Sequence, residues 1–240
     1  NSIKNNIKFT HHVVEISSFQ LERIKSFNPQ ISILLNLSKD HLDRYKNFKN
    51  YISAKKNILN DGGKNINLIS IDDKYSKRIF HNKKIKNKIS FSIKSEIANI
   101  YYKNGYLVDN YFHKNKKTKL LDISSDLNGS HNIQNILATY IVCKYFKIPI
   151  KFFNQSIKNF KGLPYRSLVI YNSKSKLIIN NSKATNISSS LSSLENKQNI
   201  YLILGGIAKE NGFEKFYKYR KEIKQIYIYG KSRFLINFAN

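Results

Sequence analysis

The sequence predicts an α/β protein with a mostly parallel central sheet, flanking helices and an antiparallel excursion, followed by a partial Rossmann-like α/β domain. Apolar runs of strand length alternate with segments of helical periodicity along most of the chain. An Asn-Gly pair, Asn104-Gly105, interrupts β-forming residues as it does in antiparallel hairpins. Gly162-Leu163-Pro164 separates two alternating regions. We therefore predict a central domain over 1–163 and a second, incomplete domain over 164–240.

The elements of the central domain follow from the spacing of apolar residues. Continuous apolar runs are typical of strands buried on both faces of a parallel sheet, whereas recurrence at helical spacing indicates helices packed on that sheet. The predicted strands are 13–16, 31–37 and 67–71, and the predicted hairpin is 101–108. One predicted helix begins at residue 17, and the others span 48–59, 73–80, 131–146 and 152–160.

The second region repeats the alternation of strand and helix, which favours a second parallel unit. A hairpin is predicted first, then a polar loop, and then two strands that enclose a helix. These elements are 168–171 with 177–179 for the hairpin, 180–186 for the loop, 201–204 and 226–229 for the strands, and 213–223 for the helix.

The charge of the chain is strongly positive, +27 over 240 residues. A basic nucleic-acid-binding module is one interpretation. The other is codon bias, because Lys, Asn and Ile dominate and the lysines are spread along the whole chain. We favour codon bias and expect no nucleic-acid partner.

The cysteine content and the apolar runs bear on location. The single cysteine, Cys143, excludes an internal disulfide and suits a reducing cytoplasm. No run of eighteen apolar residues predicts a membrane-spanning helix. We therefore expect a cytoplasmic monomer. The chain contains no methionine, and we expect it to be a fragment of a longer product.

Seven polar clusters could carry chemistry, and most follow predicted strands, where α/β proteins bind ligands. Each also has a structural interpretation that the residues alone leave open. A carboxylate at a strand end suits Mg²⁺ or a helix cap, and two amides three residues apart on a helix suit an adenine edge or capping. The clusters are 15–22, 40–45, 54–56, 129–135, 160–166, 180–186 and 204–209.

The order and spacing of these clusters closely resemble the Mur ligases. Ser17-Ser18-Phe19-Gln20-Leu21-Glu22 is similar to an element of the family members that add D-glutamate to UDP-N-acetylmuramoyl-L-alanine. Asp40-His41-Leu42-Asp43, then Ala54-Lys55, and later His131-Asn132 with Asn135, match the family in order. The resemblance covers nearly the whole chain, least clearly Lys74 to Asp126.

The resemblance implies an ATP-dependent ligase of peptidoglycan synthesis that activates a carboxylate as an acyl phosphate. It implies Glu15 as a ligand of one Mg²⁺ near the phosphates, and His41 with carbamylated Lys55 as ligands of a second Mg²⁺. It implies ATP contacts for one set of residues: Asn132, Asn135, Arg166 and Asn181. It implies Ser17 and Gln20 on the muramoyl substrate, Lys183 as a catalytic lysine, and Thr185 and Lys209 on D-glutamate.

The chain departs from the family pattern at several positions. Asn181 stands where Asp is usual, Tyr165 where His is usual, and Ile207-Ala208 where Asp-Gly is usual. No Gly-x-x-x-x-Gly-Lys-Ser/Thr phosphate loop occurs in these 240 residues. We therefore expect this polypeptide alone to release no ADP in response to D-glutamate.

Three other interpretations compete with this one. The chain could belong to another Mur ligase or to a folylpolyglutamate synthetase, although the Ser17 to Gln20 run argues against both. It could be the nucleic-acid-binding module discussed above, which salt-dependent DNA binding would reveal. It could also be a non-catalytic remnant, for which Asn181 is the best argument.

Overall fold

The computed structural model describes residues 11–59, 65–120, 123–127, 129–206 and 213–230. Its main feature is a six-stranded sheet whose spatial order follows the chain. The first four strands pair in parallel and the last two pair antiparallel. The strands are β1 (Ile31–Leu34), β2 (Ile66–Ser70), β3 (Lys88–Ser92), β4 (Ile100–Lys103), β5 (Tyr106–Asp109) and β6 (Lys116–Lys119).

Helices cover this sheet on both faces, as a parallel sheet requires. Leu68 and Ile69 are neighbours in β2 and both are fully buried, yet they belong to two different hydrophobic clusters. Because successive side chains of a strand point to opposite faces, each cluster lies on one face. The helices are α1 (Ser18–Leu21), α2 (Leu42–Tyr45), α3 (Phe48–Lys56), α4 (Lys74–Phe80), α5 (Ser130–Tyr145) and α6 (Ile150–Asn159).

Side-chain caps fix where three of these helices begin. The Asp73 carboxylate accepts the backbone N–H groups of Tyr75 and Ser76, both at 2.9 Å, at the start of α4. The Asn47 side chain accepts the N–H of Asn50 at the start of α3. Ser17 and Gln20 form a reciprocal capping box on α1. The predicted helix 73–80 is therefore confirmed with Asp73 as its cap, while Asp72 has a different role, described below.

The predicted hairpin is confirmed. Asn104 and Gly105 connect β4 to β5 with φ values of 49° and 84°. Both central residues of a two-residue type I′ turn need a positive φ, which Asn tolerates and Gly adopts freely. The turn reverses the chain, and with β6 it forms the antiparallel edge of the sheet.

Two small sheets follow α6. The strands β7 (Leu168–Asn172) and β8 (Leu177–Asn180) form the predicted hairpin. The strands β9 (Ile200–Gly205) and β10 (Ile223–Tyr229) pair in parallel, and α7 (Ile187–Ser192) packs near them around Phe216. The boundary after Leu163 stays a prediction.

Two predicted elements are wrong. The apolar run 13–16 has no strand pairing among the described residues, and the Val13 side chain is 99% exposed. The predicted helix 213–223 is instead a 3-10 helix over Phe213–Tyr219. Phe216 and Tyr219 are both buried, and a spacing of three places them on one side of a 3-10 helix.

The helices of the described part of the chain are short or polar. None of them has the length and apolar character needed to cross a bilayer.

Candidate functional site: a polar pocket after the first strand

A polar pocket of about 330 Å³ lies where the chain leaves β1. Three stretches of chain form it: the coil that leads into α1, the turn before α2 and the pocket-side face of α3. The lining residues are Glu15, Ile16, Ser17, Ser18, Gln20, Asp40, His41, Tyr51 and Lys55. All five side chains predicted for the metal and the muramoyl substrate are in that set.

Local structure explains how α1 and α3 come to share the pocket. The Asn57 side chain, just after α3, donates to the Leu21 carbonyl at the end of α1, at 3.1 Å. Leu21 is 1% exposed. The short helix α1 is therefore anchored to α3, which carries Lys55.

Ser17 and Gln20 are exposed and contact each other at the mouth of the pocket. The Gln20 Oε1 atom accepts from the backbone N–H of Ser17 at 2.9 Å and from its hydroxyl at 3.0 Å. This capping box uses the amide oxygen, so the Nε2 group is the donor that Gln20 can offer to a ligand.

Asp40 and His41 form the turn that leads into α2. His41 has a φ of 53°, in the left-handed region, and its Nε2 atom lies 3.8 Å from Asp40 Oδ2. The other Asp40 oxygen accepts the His41 N–H at 2.9 Å. Asp40 belongs to one of the predicted polar clusters, but the family resemblance implies no role for it. Its position directly after a buried strand is the signal that could have identified it.

An aromatic cluster supports His41 from behind. The Phe19 ring contacts the His41 ring edge-on at 4.8 Å and stacks on Tyr45 at 5.9 Å. The Arg44 guanidinium lies 4.9 Å from the Phe19 centroid and forms a 2.8 Å ion pair with Glu22. This ion pair lowers the pKa of Glu22 and raises that of Arg44. The cluster joins α1 to α2 and holds the imidazole of His41 against the pocket.

Lys55 lies on α3 at the inner side of the pocket. Burial lowers the pKa of its amine, and the negative charges of Glu15 and Asp40 oppose that shift. The amine lies 6.0 Å from the ring centroid of Tyr51. Burial also raises the pKa of Tyr51 to about 12, and Asp40 adds to the effect. A half-buried lysine with a lowered pKa is a nucleophilic amine.

The fit of a metal ion is mixed. Glu15 and Asp40 offer the hard oxygen ligands that Mg²⁺ prefers, and both line the pocket with His41. Yet no three Asp, Glu, His or Cys side chains in the described parts of the chain converge closely enough to hold a metal ion by themselves. A metal ion held in this pocket would therefore need a further oxygen donor besides these side chains.

A second group of predicted residues lies at the start of α5. Asn132 and Asn135 share a face, and the Asn135 side chain donates to the Asn132 oxygen at 3.4 Å. The helix begins at Gly129, whose φ is 111°. A Cβ there would come within 2.9 Å of the His131 ring, so this turn needs a glycine.

The remaining predicted residues follow α6. Arg166, Lys183 and Thr185 are exposed. Asn181 is half-buried and engaged at both ends of its amide: Oδ1 accepts the Ser167 N–H at 3.1 Å, and Nδ2 donates to the Ser189 carbonyl at 3.2 Å. Lys209 lies outside the described residues.

Two long-range hydrogen bonds connect this later segment with the central sheet. Asn186 Nδ2 donates to Asp40 Oδ2 at 3.4 Å. The Ser130 hydroxyl donates to Glu195 at 2.9 Å. The first bond brings the loop that carries Lys183 and Thr185 next to the polar pocket, although their side chains do not line it.

A mostly parallel sheet with a carboxylate-bearing pocket after a strand is typical of α/β domains, whose ligands bind at the carboxyl edge of the sheet. Comparison with known proteins makes the class specific, because residues 3–143 match the Mur ligase middle domain. The chain belongs to the Mur ligase family.

Similar proteins agree with this assignment. The UDP-N-acetylmuramoylalanine–D-glutamate ligase of Rickettsia prowazekii (strain Madrid E) is 38% identical over 235 residues, 95% of this chain and 51% of that protein. The ligase of the same name from Buchnera aphidicola subsp. Schizaphis graminum is 38% identical over 234 residues, 94% of this chain and 51% of that protein. The chain thus spans about half the length of the curated relatives it matches.

Solved structures share the fold. MurF from Acinetobacter baumannii superposes with a TM-score of 0.65 at 16% identity, covering 87% of this chain and 49% of that one. MurF ligase from Thermotoga maritima in complex with ADP has a TM-score of 0.59 at 18% identity, covering 84% and 48%. These similarities confirm the α/β fold class predicted from the sequence.

Proposed function

We propose that the chain is the central domain and part of the last domain of an ATP-dependent, cytoplasmic ligase of peptidoglycan synthesis that joins D-glutamate to UDP-N-acetylmuramoyl-L-alanine. The observation that carries the proposal is the polar pocket, which gathers Glu15, Ser17, Gln20, His41 and Lys55 from three separate stretches of chain. The names of the most similar relatives support the choice of substrates.

The reaction proposed is a phosphoryl transfer followed by an acyl transfer. A carboxylate oxygen of the muramoyl-alanine substrate bonds to the γ-phosphorus of ATP, and ADP leaves. The amine of D-glutamate then attacks the acyl carbon, phosphate leaves with the bonding electrons, and the new amide nitrogen gives up a proton. The first step concentrates negative charge, so the site must supply positive charge and exact placement.

Lys55 is proposed to act as a carbamate. Its neutral amine attacks CO₂, a nitrogen–carbon bond forms, and one proton is released. Burial favours the neutral amine because it lowers the pKa of Lys55. The carbamate would add a third anionic group beside Glu15 and Asp40, an arrangement that a cation must balance.

Mg²⁺ fits that requirement. Glu15 would hold one Mg²⁺ near the phosphates, and His41 with the Lys55 carbamate would hold a second; when bound, the two ions would supply positive charge to the transferring phosphoryl group. The chain's own contribution is to fix the ligands: the Phe19 ring holds the His41 imidazole in place, and the Asn57 bond to Leu21 keeps α1 against α3.

The nucleotide is proposed to lie at the start of α5. Asn132 and Asn135 present paired amides that suit the edge of adenine, and Arg166 would approach the γ-phosphate. A related fold, MurF of Thermotoga maritima, was solved with ADP. Asn181 is proposed for the ribose, where it would act through a shared hydrogen bond because both ends of its amide already have partners.

The muramoyl substrate and D-glutamate are proposed to meet between the polar pocket and the loop after β8. Ser17 and the Nε2 group of Gln20 would bind the muramoyl substrate at the pocket mouth. Lys183 would act on the reacting groups, and Thr185 with Lys209 would hold D-glutamate. The Asn186 bond to Asp40 supports this meeting point.

The test is ADP release by the full-length gene product, with both substrates present. We expect Lys55→Ala to remove the activity and short carboxylic acids to restore part of it, because they return an oxygen donor to the cavity. Lys56→Ala is the matched control: it removes the neighbouring lysine of α3, which does not line the pocket. Equal activities of the two variants, or a rate of ADP release that does not depend on D-glutamate, would refute the proposal.

A further inference from the structure

A buried glutamine on α5 belongs to no role assigned above. Gln134 is only 6% exposed, and it stands between Asn132 and Asn135 in a helix whose neighbouring inward positions are apolar. Its Nε2 group donates to Ser70 Oγ and to Asp72 Oδ2, both at 2.8 Å. A buried amide that makes two good hydrogen bonds fixes the orientation of its helix more narrowly than an apolar side chain does.

Asp72, which accepts one of these hydrogen bonds, connects the ends of two strands. Asp72 Oδ1 accepts the backbone N–H groups of Ile93 at 3.1 Å and Lys94 at 3.2 Å, and also the Ser92 hydroxyl. Ser70 ends β2 and Ser92 ends β3. Gln134 therefore ties the first turn of α5 to the carboxyl edge of the parallel sheet, the edge at which such sheets bind ligands.

The rotation of α5 follows from this tie. Successive helical residues turn by about 100°, so Asn132 and Asn135 lie about 60° apart, and Gln134 lies about 100° or more from both. With Gln134 held against the sheet, the two asparagines point away from it. Their mutual hydrogen bond at 3.4 Å shows that they share that face.

We propose that Gln134 is a positioning residue for the nucleotide: with Asp72 it sets the rotation of the first turn of α5, and so aims the Asn132–Asn135 pair at adenine. The inference rests on the proposed function, because it takes those asparagines to be the adenine contacts. It adds the residue that orients them and the partner through which it acts.

The experiment measures the dissociation constants of ATP and GTP for the full-length gene product. Gln134→Met keeps the size of the side chain but removes both donated hydrogen bonds. We expect the preference for ATP over GTP to fall about tenfold, the loss that follows when one base contact is misaligned. Ile79→Val, in the core on the opposite face of the sheet, lowers thermal stability without touching this tie and should leave the preference unchanged.

Exchanging the amide and the carboxylate between positions 134 and 72 separates an effect on the orientation of α5 from an effect on the stability of the fold. In the double variant Gln134→Glu with Asp72→Asn, the new amide of residue 72 can donate to the new carboxylate, while its oxygen still accepts from Ile93 and Lys94. We expect the double variant to regain most of the ATP preference, and Gln134→Glu alone to lose it because two carboxylates then face each other.

Two outcomes would overturn the inference, and they differ in what they imply for the proposed function. If Asn135→Ala lowers the preference but Gln134→Met does not, the adenine contacts stand and Gln134 has no positioning role. If Asn135→Ala leaves the preference unchanged, the assignment of adenine to this helix fails, and the role of Gln134 fails with it. Loss of melting temperature in Gln134→Met with an unaltered preference would also count against the inference.

Discussion

Replacing Asn181 by Asp introduces the residue that the family resemblance leads us to expect there, yet we expect it to destabilise this chain. The Asn181 Nδ2 group donates to the Ser189 carbonyl at 3.2 Å. An ionised Asp has no hydrogen to donate, so two oxygens would face each other. The other contact survives, because an Asp oxygen can still accept the Ser167 N–H.

The expected loss can be worked from these contacts. A hydrogen bond contributes about 1 kcal/mol net, and leaving a half-buried carbonyl without its donor costs about 1–2 kcal/mol more. We therefore expect the free energy of unfolding to fall by about 2–3 kcal/mol. Urea denaturation of the full-length gene product, followed by a probe in this segment, measures the difference.

Asn180→Asp is the matched control. The Asn180 side chain accepts the Ser182 N–H at 3.0 Å, and an Asp keeps that bond. The new charge is the same and lies one residue away, so the general effect of a carboxylate on this basic chain cancels in the comparison. We expect a change within about 0.5 kcal/mol. Equal effects of the two substitutions would refute the role given to the Ser189 carbonyl.

Three further predictions concern other elements. Phe19→Leu removes two ring contacts and one cation–π contact, so we expect a loss of about 1.5–3 kcal/mol in the free energy of unfolding; Phe27→Leu, at an exposed ring, should change it little. Burial lowers the pKa of His131, so the folded state disfavours the protonated imidazole, and stability should fall as pH drops below about 6.5. His131→Gln should remove that part of the pH dependence of the melting temperature, and an unaltered profile would contradict the assignment. Gly105→Ala places a side chain at a φ of 84° and should cost about 1 kcal/mol although the space is open.

The elements that the sequence predicted correctly are those with local causes. The Asn104-Gly105 turn, the Asp73 cap and the long apolar face of α5 depend on residues within a few positions of one another. The order of strands β1 to β4 was not predicted, and β3 has no counterpart among the predicted strands.

The wrong prediction at 13–16 has a non-local cause. An apolar run indicates that a segment can be buried, but a strand also needs a neighbour that accepts its backbone hydrogen bonds. No such neighbour pairs with this run in the described part of the chain, and Val13 is exposed. Glu15 therefore lines the polar pocket from a coil and not from the predicted strand.

The polar pocket and the start of α5 also differ in how far the sequence could suggest their residues. Glu15, His41 and Lys55 could be chosen from the sequence because a resemblance supplied their roles, although their distances along the chain gave no sign that they share one pocket. Gln134 could not be chosen, because a glutamine in an amphipathic helix is usually exposed. Its burial depends on Asp72, 62 residues away, and no local pattern connects the two.

The contacts of the acidic residues help to interpret the net charge of the chain. The chain has 15 acidic residues against 42 basic ones, and several of the acids are held by specific contacts. Asp72 binds two strand ends, Asp109 accepts three backbone N–H groups and the Tyr140 hydroxyl, and Asp126 accepts the Gly162 N–H at 2.8 Å.

Replacing these acids would leave buried donors without partners, whereas a solvated acid can be replaced at little cost. A codon bias toward Lys and Asn would therefore remove surface acids first and keep those with structural or pocket roles. Such a bias would raise the net charge without creating a nucleic-acid surface, so the positive charge by itself does not indicate one.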